Sequence, residues 1–285
     1  MTPIRVRLVA DSGAAVARSR NLARSPCPSR LASPRAAPPR DGGIARPLGA
    51  AAVVSAAAAL AALVGHAAPA LTAVGSLRRA GWPRLAGVGA PGGVALTFDD
   101  GPDPDGTPAV LAALETLHWR ATFFLLGSQV HRYPDVARSV VAAGHEVAVH
   151  GQQHRNHLLR RPAALRRDVL GAAQLIEAVT GARPRWFRPP YGVLTAGSLL
   201  AARDAGLTPV LWTAWGRDWA PRTPAAITAT IVRDLREGGT VLLHDSDCTS
   251  VAGSWRATAR CLPLLAERFQ AQDWDVRTLS QHMAA

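Results

Sequence analysis

The chain has 285 residues, of which 48% are hydrophobic, and a formal net charge of +12. This length allows one large α/β domain with a complete core, so stability does not require oligomerisation. Residues 1–46 contain nine Arg and two Asp, a net charge of +7, which leaves +5 on the rest of the chain. The basic tail lacks interleaved aromatic residues and the remainder lacks a reader motif, which excludes a nucleic-acid-binding protein as the expected class.

The N-terminal part divides into two segments. Residues 1–46 are rich in Arg, Pro, Ser and Ala without apolar periodicity, which predicts a disordered tail. Residues 47–76 contain no charged residue, and Leu48–Val64 has the length and composition of a signal-peptide core or a short membrane helix. Cleavage after Ala70, retention as a membrane anchor, and a buried Ala-rich helix are the alternatives. Because arginines precede this segment, we expect the rest of the chain to be extracytoplasmic, either membrane-anchored or secreted.

Residues 77–92, with scattered Gly and Pro, are predicted to be a linker, and residues 93–285 to form one domain. In this domain, short apolar segments alternate with longer stretches of helical pattern. The apolar segments do not alternate with polar residues, which is typical of buried parallel strands; they are VALTF, ATFFLLG, EVAVH, RWF, TPVLW, GTVLLH and WDVRT. The predicted helices are Pro108–Leu117, Pro134–Ala143, Pro162–Thr180, Thr195–Ala205, Pro224–Leu235 and Trp255–Ala271. The pattern predicts an α/β fold with a parallel barrel or a doubly wound sheet.

Two adjacent carboxylates, Asp99 and Asp100, follow the first predicted strand in the sequence LTFDDGPDPDG. Such a pair disfavours the ionisation of both groups unless a cation or a proton separates their roles, although an Asp-rich turn is the simpler alternative. His150 and His154 follow the third predicted strand and would share one side of a helical turn if a helix begins there. Two imidazoles and one carboxylate form a three-ligand set of the kind found at catalytic zinc sites.

Three further strand ends carry polar or aromatic side chains. Arg188 lies in RPPYG after the fourth predicted strand, Asp218 and Trp219 lie in GRDW after the fifth, and His244 lies in LLHDS after the sixth. The carboxyl ends of parallel strands form one rim, and this rim holds the chemistry in such folds. We therefore expect these side chains to lie together.

The motifs TFDDGP, His-x-x-x-His, RPPYG, Asp-Trp and Leu-x-His-Asp occur in this order. In this respect the chain resembles the polysaccharide deacetylases of the NodB-homology type, carbohydrate esterase family 4, over roughly Gly93–Leu279. The resemblance implies a distorted (β/α) barrel of about seven parallel strands. It also implies a divalent metal ion, zinc or cobalt, held by Asp100, His150 and His154.

The resemblance assigns roles to the remaining motif residues. Asp99 would be the general base and His244 the general acid, with Arg188 paired to Asp99 and Asp218 orienting His244. The backbone N–H of Tyr191 would bind the oxyanion, and Leu242 and Trp219 would form the pocket for the acetyl methyl group. The implied partner is an acetylated glycan, and the implied reaction is hydrolysis of N-acetyl groups on an N-acetylglucosamine-containing polymer such as peptidoglycan or a chitin-like glycan.

Some residues depart from the family pattern. Gly151 and Arg155 stand where the metal motif usually has Ser or Thr and Pro, which puts the substrate subgroup in question. Trp215 stands where many relatives have a polar or acidic residue, and with Trp212 and Trp219 it forms an aromatic cluster that either stacks on sugar rings or packs beneath the rim. An O-acetyl esterase and a catalytically silent glycan-binding barrel are the alternative functions, and intact Asp99 and His244 argue against the second.

The cysteines Cys27, Cys248 and Cys261 lack the spacing of a metal-binding pair. In an exported domain Cys248 and Cys261 would be able to form a disulfide, and the alternative is two unrelated small side chains.

Overall fold

In a computed structural model of the protein, the structure describes residues 50–284. The tail predicted over residues 1–46 and the first three residues of the predicted signal or anchor lie outside this range. The described part begins with α1 (Ala50–Ala67), a 3₁₀ helix (Ala68–Ala73) and α2 (Gly75–Gly81).

The first helical segment is apolar and exposed. By length and composition alone, Ala52–Ala73 qualifies as a span that could cross a membrane. The side chains of Val53, Leu60 and Val64 are 56%, 62% and 58% exposed. Residues of this helix therefore bury little apolar surface against the domain that follows.

One curved parallel sheet organises the domain. Its strands are β1 (Gly93–Asp99), β2 (Thr122–Leu125), β3 (Glu146–Val149), β4 (Trp186–Phe187), β5 (Thr208–Pro209), β6 (Ala214–Trp215), β7 (Thr240–His244) and β8 (Asp275–Arg277). Seven of these follow the order β5-β4-β3-β2-β1-β7-β6, and β8 pairs with the beginning of β1. The described sheet does not pair β5 with β6, so the barrel is open between them. The predicted distorted barrel of parallel strands is confirmed.

Helices surround the sheet and connect its strands. They are α3 (Gly106–Thr116), α4 (Gly127–Arg132), α5 (Pro134–Ala142), α6 (Pro162–Thr180), α7 (Ala196–Asp204), α8 (Pro224–Asp234), α9 (Trp255–Gln270) and α10 (Leu279–Met283). The six predicted helices are all present and end within two residues of the predicted bounds. Proline in the first turn and a left-handed Gly181 after α6 explain why the sequence marks these ends clearly.

The segment before β1 packs against the opening of the barrel. The Leu211 N–H donates to the Leu85 carbonyl at 2.7 Å, and the Thr240 hydroxyl donates to the Gly87 carbonyl at 2.6 Å. Ala86 is fully buried between these two contacts. The segment predicted as a linker is therefore joined to the barrel by hydrogen bonds that its backbone carbonyls accept.

His157 is a fully buried imidazole beneath the rim of the barrel. Its Nδ1 lies 3.0 Å from the hydroxyl of Ser198, and its ring stacks on Phe187 with centroids 6.0 Å apart. Its Nε2 has no hydrogen-bond partner among the described residues. Burial, together with the charges of His150 and Arg160, lowers the pKa of His157 to about 4.

The low pKa of His157 makes the fold sensitive to acid. An unfolded chain takes up this proton near pH 6.5, whereas the folded chain resists it until about pH 4. The contribution of a neutral His157 to the free energy of unfolding is therefore fully present above pH 6.5 and is lost as the pH falls towards 4. We expect this contribution to decrease by about 2 kcal/mol between pH 7 and pH 5. Urea unfolding at pH 7 and pH 5 should show that the free energy of unfolding decreases less for His157→Phe than for the wild type. The exposed control His131→Gln should behave like the wild type.

Candidate active site

The end of β1 places two carboxylates side by side at the rim. β1 is buried along its whole length between β2 and β7. Asp99 is its last residue, and Asp100 has a left-handed backbone with φ of 78°. This conformation breaks the alternation of side chains along the strand and costs about 1–3 kcal/mol for a residue other than glycine. Both carboxylates consequently approach His150, which lies 3.8 Å from Asp99 and 3.3 Å from Asp100.

Asp100, His150 and His154 form a group of ligand atoms. Their donor atoms all lie within 4.8 Å of one another, and Nε2 of His154 is 3.6 Å from Oδ1 of Asp100. That Oδ1 atom is buried and has no hydrogen-bond partner in the described part of the chain. An unpartnered buried carboxylate oxygen is costly, and a cation between these three side chains would remove the cost. The donor set therefore fits a divalent metal ion.

The protonation states suit metal binding. Burial alone would raise the pKa of Asp100, but the neighbouring His150, His244 and His154 hold it well below its usual range. Burial lowers the pKa of His154 to about 4, against the opposing effect of Asp100. At neutral pH the carboxylate is thus ionised and the His154 imidazole neutral, the forms in which these groups act as ligands.

A backbone contact fixes the orientation of His150. Its Nδ1 lies 2.9 Å from the Arg188 carbonyl, which can only accept, so Nδ1 carries the hydrogen. Nε2 is then left with a free lone pair facing Asp100. Such a partner on the far nitrogen is typical of metal-ligating histidines.

The connection between His150 and His154 is an irregular loop and not the helical turn that the spacing suggested. Gly151 has φ of 96°, and its carbonyl accepts from the Gly127 N–H at 3.0 Å. The Gln152 N–H donates to Asp168 at 2.7 Å. These two hydrogen bonds stabilise the loop, and they replace the one that a Ser or Thr hydroxyl would make at position 151.

Arg188 is completely buried and pairs with Asp99 at 2.7 Å. The same guanidinium donates to the Thr97 hydroxyl at 2.8 Å and to the Leu211 carbonyl at 2.8 Å. It also lies 4.0 Å from the centre of the Phe124 ring. Every part of this cation has a partner, and its positive charge is fixed against the Asp99 carboxylate.

His244 and Asp218 form a second ion pair across the cavity. Nδ1 of His244 is 3.0 Å from Oδ1 of Asp218, and Oδ2 of Asp218 accepts from the His244 N–H at 2.7 Å and from Thr258 at 2.8 Å. Burial alone would lower the pKa of His244, but Asp218, with smaller effects from Asp100 and Asp99, raises it to about 10. His244 is therefore an imidazolium at neutral pH, with its Nε2–H free to donate.

These groups line one cavity of about 350 Å³. Its lining includes Asp99, Asp100, His150, His154, Tyr191, Gly192, Trp212, Trp215, Trp219, Leu242, His244 and Thr249. Arg188 and Asp218 lie behind this wall and contact Asp99 and His244. The structure thus brings together all ten residues singled out from the sequence.

Thr249 is a cavity residue that the sequence did not reveal. Its hydroxyl donates to Oδ2 of Asp100 in a short hydrogen bond, which leaves Oδ1 facing the two histidines. It lies in the irregular segment after β7, where no motif or periodicity marks it. The same segment contains Cys248, and both Cys248 and Cys261 are free thiols in the structure.

A parallel half-barrel with paired carboxylates and histidines at its carboxyl rim is the architecture of a deacetylase of the NodB type. Comparison with known proteins agrees. The profile of the polysaccharide deacetylase family matches residues 87–210. A chitooligosaccharide deacetylase of Bradyrhizobium sp. (strain ANU 289) is 38% identical over 196 residues, which span 66% of this chain and 89% of that protein. The chain belongs to the polysaccharide deacetylases of carbohydrate esterase family 4.

Two other similar proteins are named as deacetylases of a different polymer, peptidoglycan. A peptidoglycan-N-acetylglucosamine deacetylase of Bacillus cereus is 35% identical over 178 residues, covering 61% of this chain and 82% of that protein. The solved structure of the Bc1960 peptidoglycan N-acetylglucosamine deacetylase superposes with a TM-score of 0.65 and 25% identity, over 69% of this chain and 91% of that one. The chain is accordingly a hydrolase of amide bonds.

Proposed function

We propose that this protein is a metal-dependent N-deacetylase that releases acetate from N-acetylglucosamine units of a cell-wall or chitin-like glycan. The observation that carries the proposal is the arrangement around one cavity of a three-ligand group, a carboxylate paired with a buried arginine, and an imidazole paired with a buried carboxylate. The named activities of the relatives support the same chemistry.

Asp100, His150 and His154 would hold the metal ion. One carboxylate and two imidazoles favour a borderline ion, and we propose zinc or cobalt. When bound, such an ion polarises the acetyl carbonyl and lowers the pKa of water. Thr249 and the Arg188 carbonyl orient two of the ligands before the ion arrives, so little rearrangement is needed.

Asp99 acts as the general base in this mechanism. It accepts a proton from the attacking water, and the ion pair with Arg188 holds it at the cavity wall. The backbone N–H of Tyr191, in a turn with φ of 61°, is proposed to donate to the oxyanion. One such donor is typically worth about 3–4 kcal/mol of the activation barrier.

His244 then protonates the departing nitrogen. An amine leaves poorly as an anion, so the amide bond breaks only if a proton reaches the nitrogen. The carboxylate of Asp218 keeps this imidazole charged and oriented. Acetate and the free amine of a glucosamine unit are the products. Leu242, which is 3% exposed, and Trp219 are proposed to enclose the acetyl methyl group.

The proposal is tested by product release from the full chain. The protein is stripped of metal and then titrated with zinc or cobalt in the presence of N-acetylglucosamine oligomers, peptidoglycan, or an acetylated xylan. The sequence contains no lysine, so an amine-reactive dye detects the glucosamine product against a very low protein background. Amine and acetate that appear in equal amounts with metal support the proposal. Acetate released only from the ester would replace it with an O-acetyl esterase.

Asp168 offers a separate test of the ligand loop. Asp168 accepts from the Gln152 N–H and from Arg160 at 3.0 Å, and so holds the loop between the two histidine ligands. We expect Asp168→Ala to weaken metal affinity about tenfold, because the loop between His150 and His154 loses the carboxylate that orients it. The control is Asp204→Ala, which removes a surface ion pair to Arg166. Chelator competition measures both, and equal affinities would contradict the expectation.

We also propose that the catalytic domain is extracytoplasmic. The proposal is supported by the apolar, exposed span at Ala52–Ala73 and by the arginines that precede it in the sequence. Protease treatment of intact cells that express the full chain, with a C-terminal epitope tag, should remove the tag. A tag that is protected until the cells are lysed would place the domain in the cytoplasm.

A further inference from the structure

Arg78 is a buried cation in the segment before β1. Its side chain is only 2% exposed, and in the described residues it has no carboxylate partner. Its guanidinium donates to the Thr72 carbonyl at 2.7 Å and to the Trp212 carbonyl at 2.6 Å, while Nε has no partner in residues 50–284. A buried charge without an opposite charge is costly. Burial of Arg78 therefore lowers the stability of the fold unless its contacts with the barrel offset the cost.

Arg78 contacts the barrel where the sheet is interrupted. Between β5 and β6, the backbone carbonyls lack a neighbouring strand and need other donors. Arg188 donates to the Val210 and Leu211 carbonyls at 3.3 and 2.8 Å, and Arg78 donates to the next one, that of Trp212. Two arginines thus take the place of a strand across successive residues of this segment.

The same two arginines both lie close to the indole of Trp212. The guanidinium carbon of Arg78 is 5.1 Å from the centre of this ring, and that of Arg188 is 5.7 Å from it. The ring lines the catalytic cavity and packs on Gly192, where a Cβ atom would meet the indole at 2.5 Å. Gly192 follows Tyr191, the proposed oxyanion donor. The position of Trp212 therefore sets both the cavity wall and the turn that carries Tyr191.

We propose that Arg78 is a positioning residue for substrate binding, which holds Trp212 in the cavity wall from the segment before β1. The matched family profile, residues 87–210, includes neither Arg78 nor Trp212. The inference rests on the proposed deacetylase function for its substrate. It also means that the segment joining the apolar helix to the barrel forms part of the active-site scaffold.

The test compares Arg78→Met with the matched control Arg84→Met in the full chain. Arg84 is exposed in the same segment, so both variants lose one positive charge. For Arg78→Met we expect KM for N-acetylglucosamine oligomers to rise about tenfold, with kcat within about threefold and metal affinity unchanged. Arg78→Lys, which keeps a donor for the Trp212 carbonyl, should recover part of the KM. An unchanged KM in a cooperatively melting Arg78→Met protein overturns the inference.

Two further measurements test the inference if Arg78→Met does not fold or if the wild-type protein is inactive. If Arg78→Met does not fold, Arg78→Lys and Trp212→Phe are combined, and the inference requires that their effects on KM are not additive. Additive effects overturn it. If the wild type releases no acetate from any glycan, the proposed function fails. Hydrogen exchange then tests whether Arg78 positions the segment that contains Trp212. Faster amide exchange over residues 208–215 in Arg78→Lys than in Arg84→Met supports the positioning role, and equal exchange contradicts it.

Discussion

Replacing Asp100 with asparagine is expected to abolish metal binding while leaving the fold intact. Asparagine has the same shape and tolerates the left-handed backbone at this position, where φ is 78°. It presents a neutral oxygen where the proposed metal ion would be bound by an anion. We expect metal affinity to fall more than about 100-fold, since the loss of outer-shell partners alone costs 10–100-fold. Acetate release should fall with it.

Calorimetric titration with zinc measures this effect, and thermal melting of the metal-free protein checks the fold. Asp105→Asn is the matched control, because it removes an exposed carboxylate from the same loop. A variant Asp100→Asn that binds zinc as tightly as the control would exclude Asp100 as a ligand.

Replacing Asp99 with asparagine is expected to separate metal binding from catalysis. Asparagine still accepts the hydrogen bond from Arg188 at this position, but it takes up no proton. Acetate release should fall by about 10²–10⁴-fold, the range of a lost general base, while metal affinity stays within a few-fold of the wild type. The buried Arg188 also loses its counter-charge, so the free energy of unfolding should fall by about 3–5 kcal/mol.

Single-turnover acetate release at saturating metal measures the first effect, and urea unfolding measures the second. Wild-type rates in a metal-loaded Asp99→Asn protein would remove Asp99 from the mechanism. The contrast between the two variants is informative because Asp99 and Asp100 are adjacent in sequence, yet only Asp99 pairs with Arg188 and only Asp100 belongs to the three-ligand group.

The sequence predicts most of the scaffold because each strand end is marked chemically. Apolar runs without alternation reveal strands buried on both faces, and Asp99, Arg188 and His244 follow three of them directly. The rim follows from topology, since parallel strands end on the same side. The strand Ala214–Trp215 is too short to produce a periodic signal of its own, and TPVLW contributes only two strand residues.

The contacts that the sequence does not predict join residues that are far apart in the chain. Arg78 meets the Trp212 carbonyl across 134 positions, and Thr249 meets Asp100 across 149. Neither residue lies in a motif, and both lie outside the strands. The loop from His150 to His154 differs from a helical turn because Gly151 and Asp168 stabilise an irregular path. Such features depend on tertiary packing and leave no local pattern.

In the proposed function, the left-handed backbone of Asp100 and its Oδ1 atom, which has no partner among the described residues, couple folding to metal supply. A glycine at this position would relax the backbone and remove the buried charge, so the aspartate lowers the stability of the metal-free chain. In the proposed function a bound ion would return that energy, adding about 2.7 kcal/mol when its free concentration is 100 times its dissociation constant. The lifetime of the protein against proteolysis would then follow the metal content of its surroundings, and metal starvation would lower the abundance of the enzyme as well as its activity.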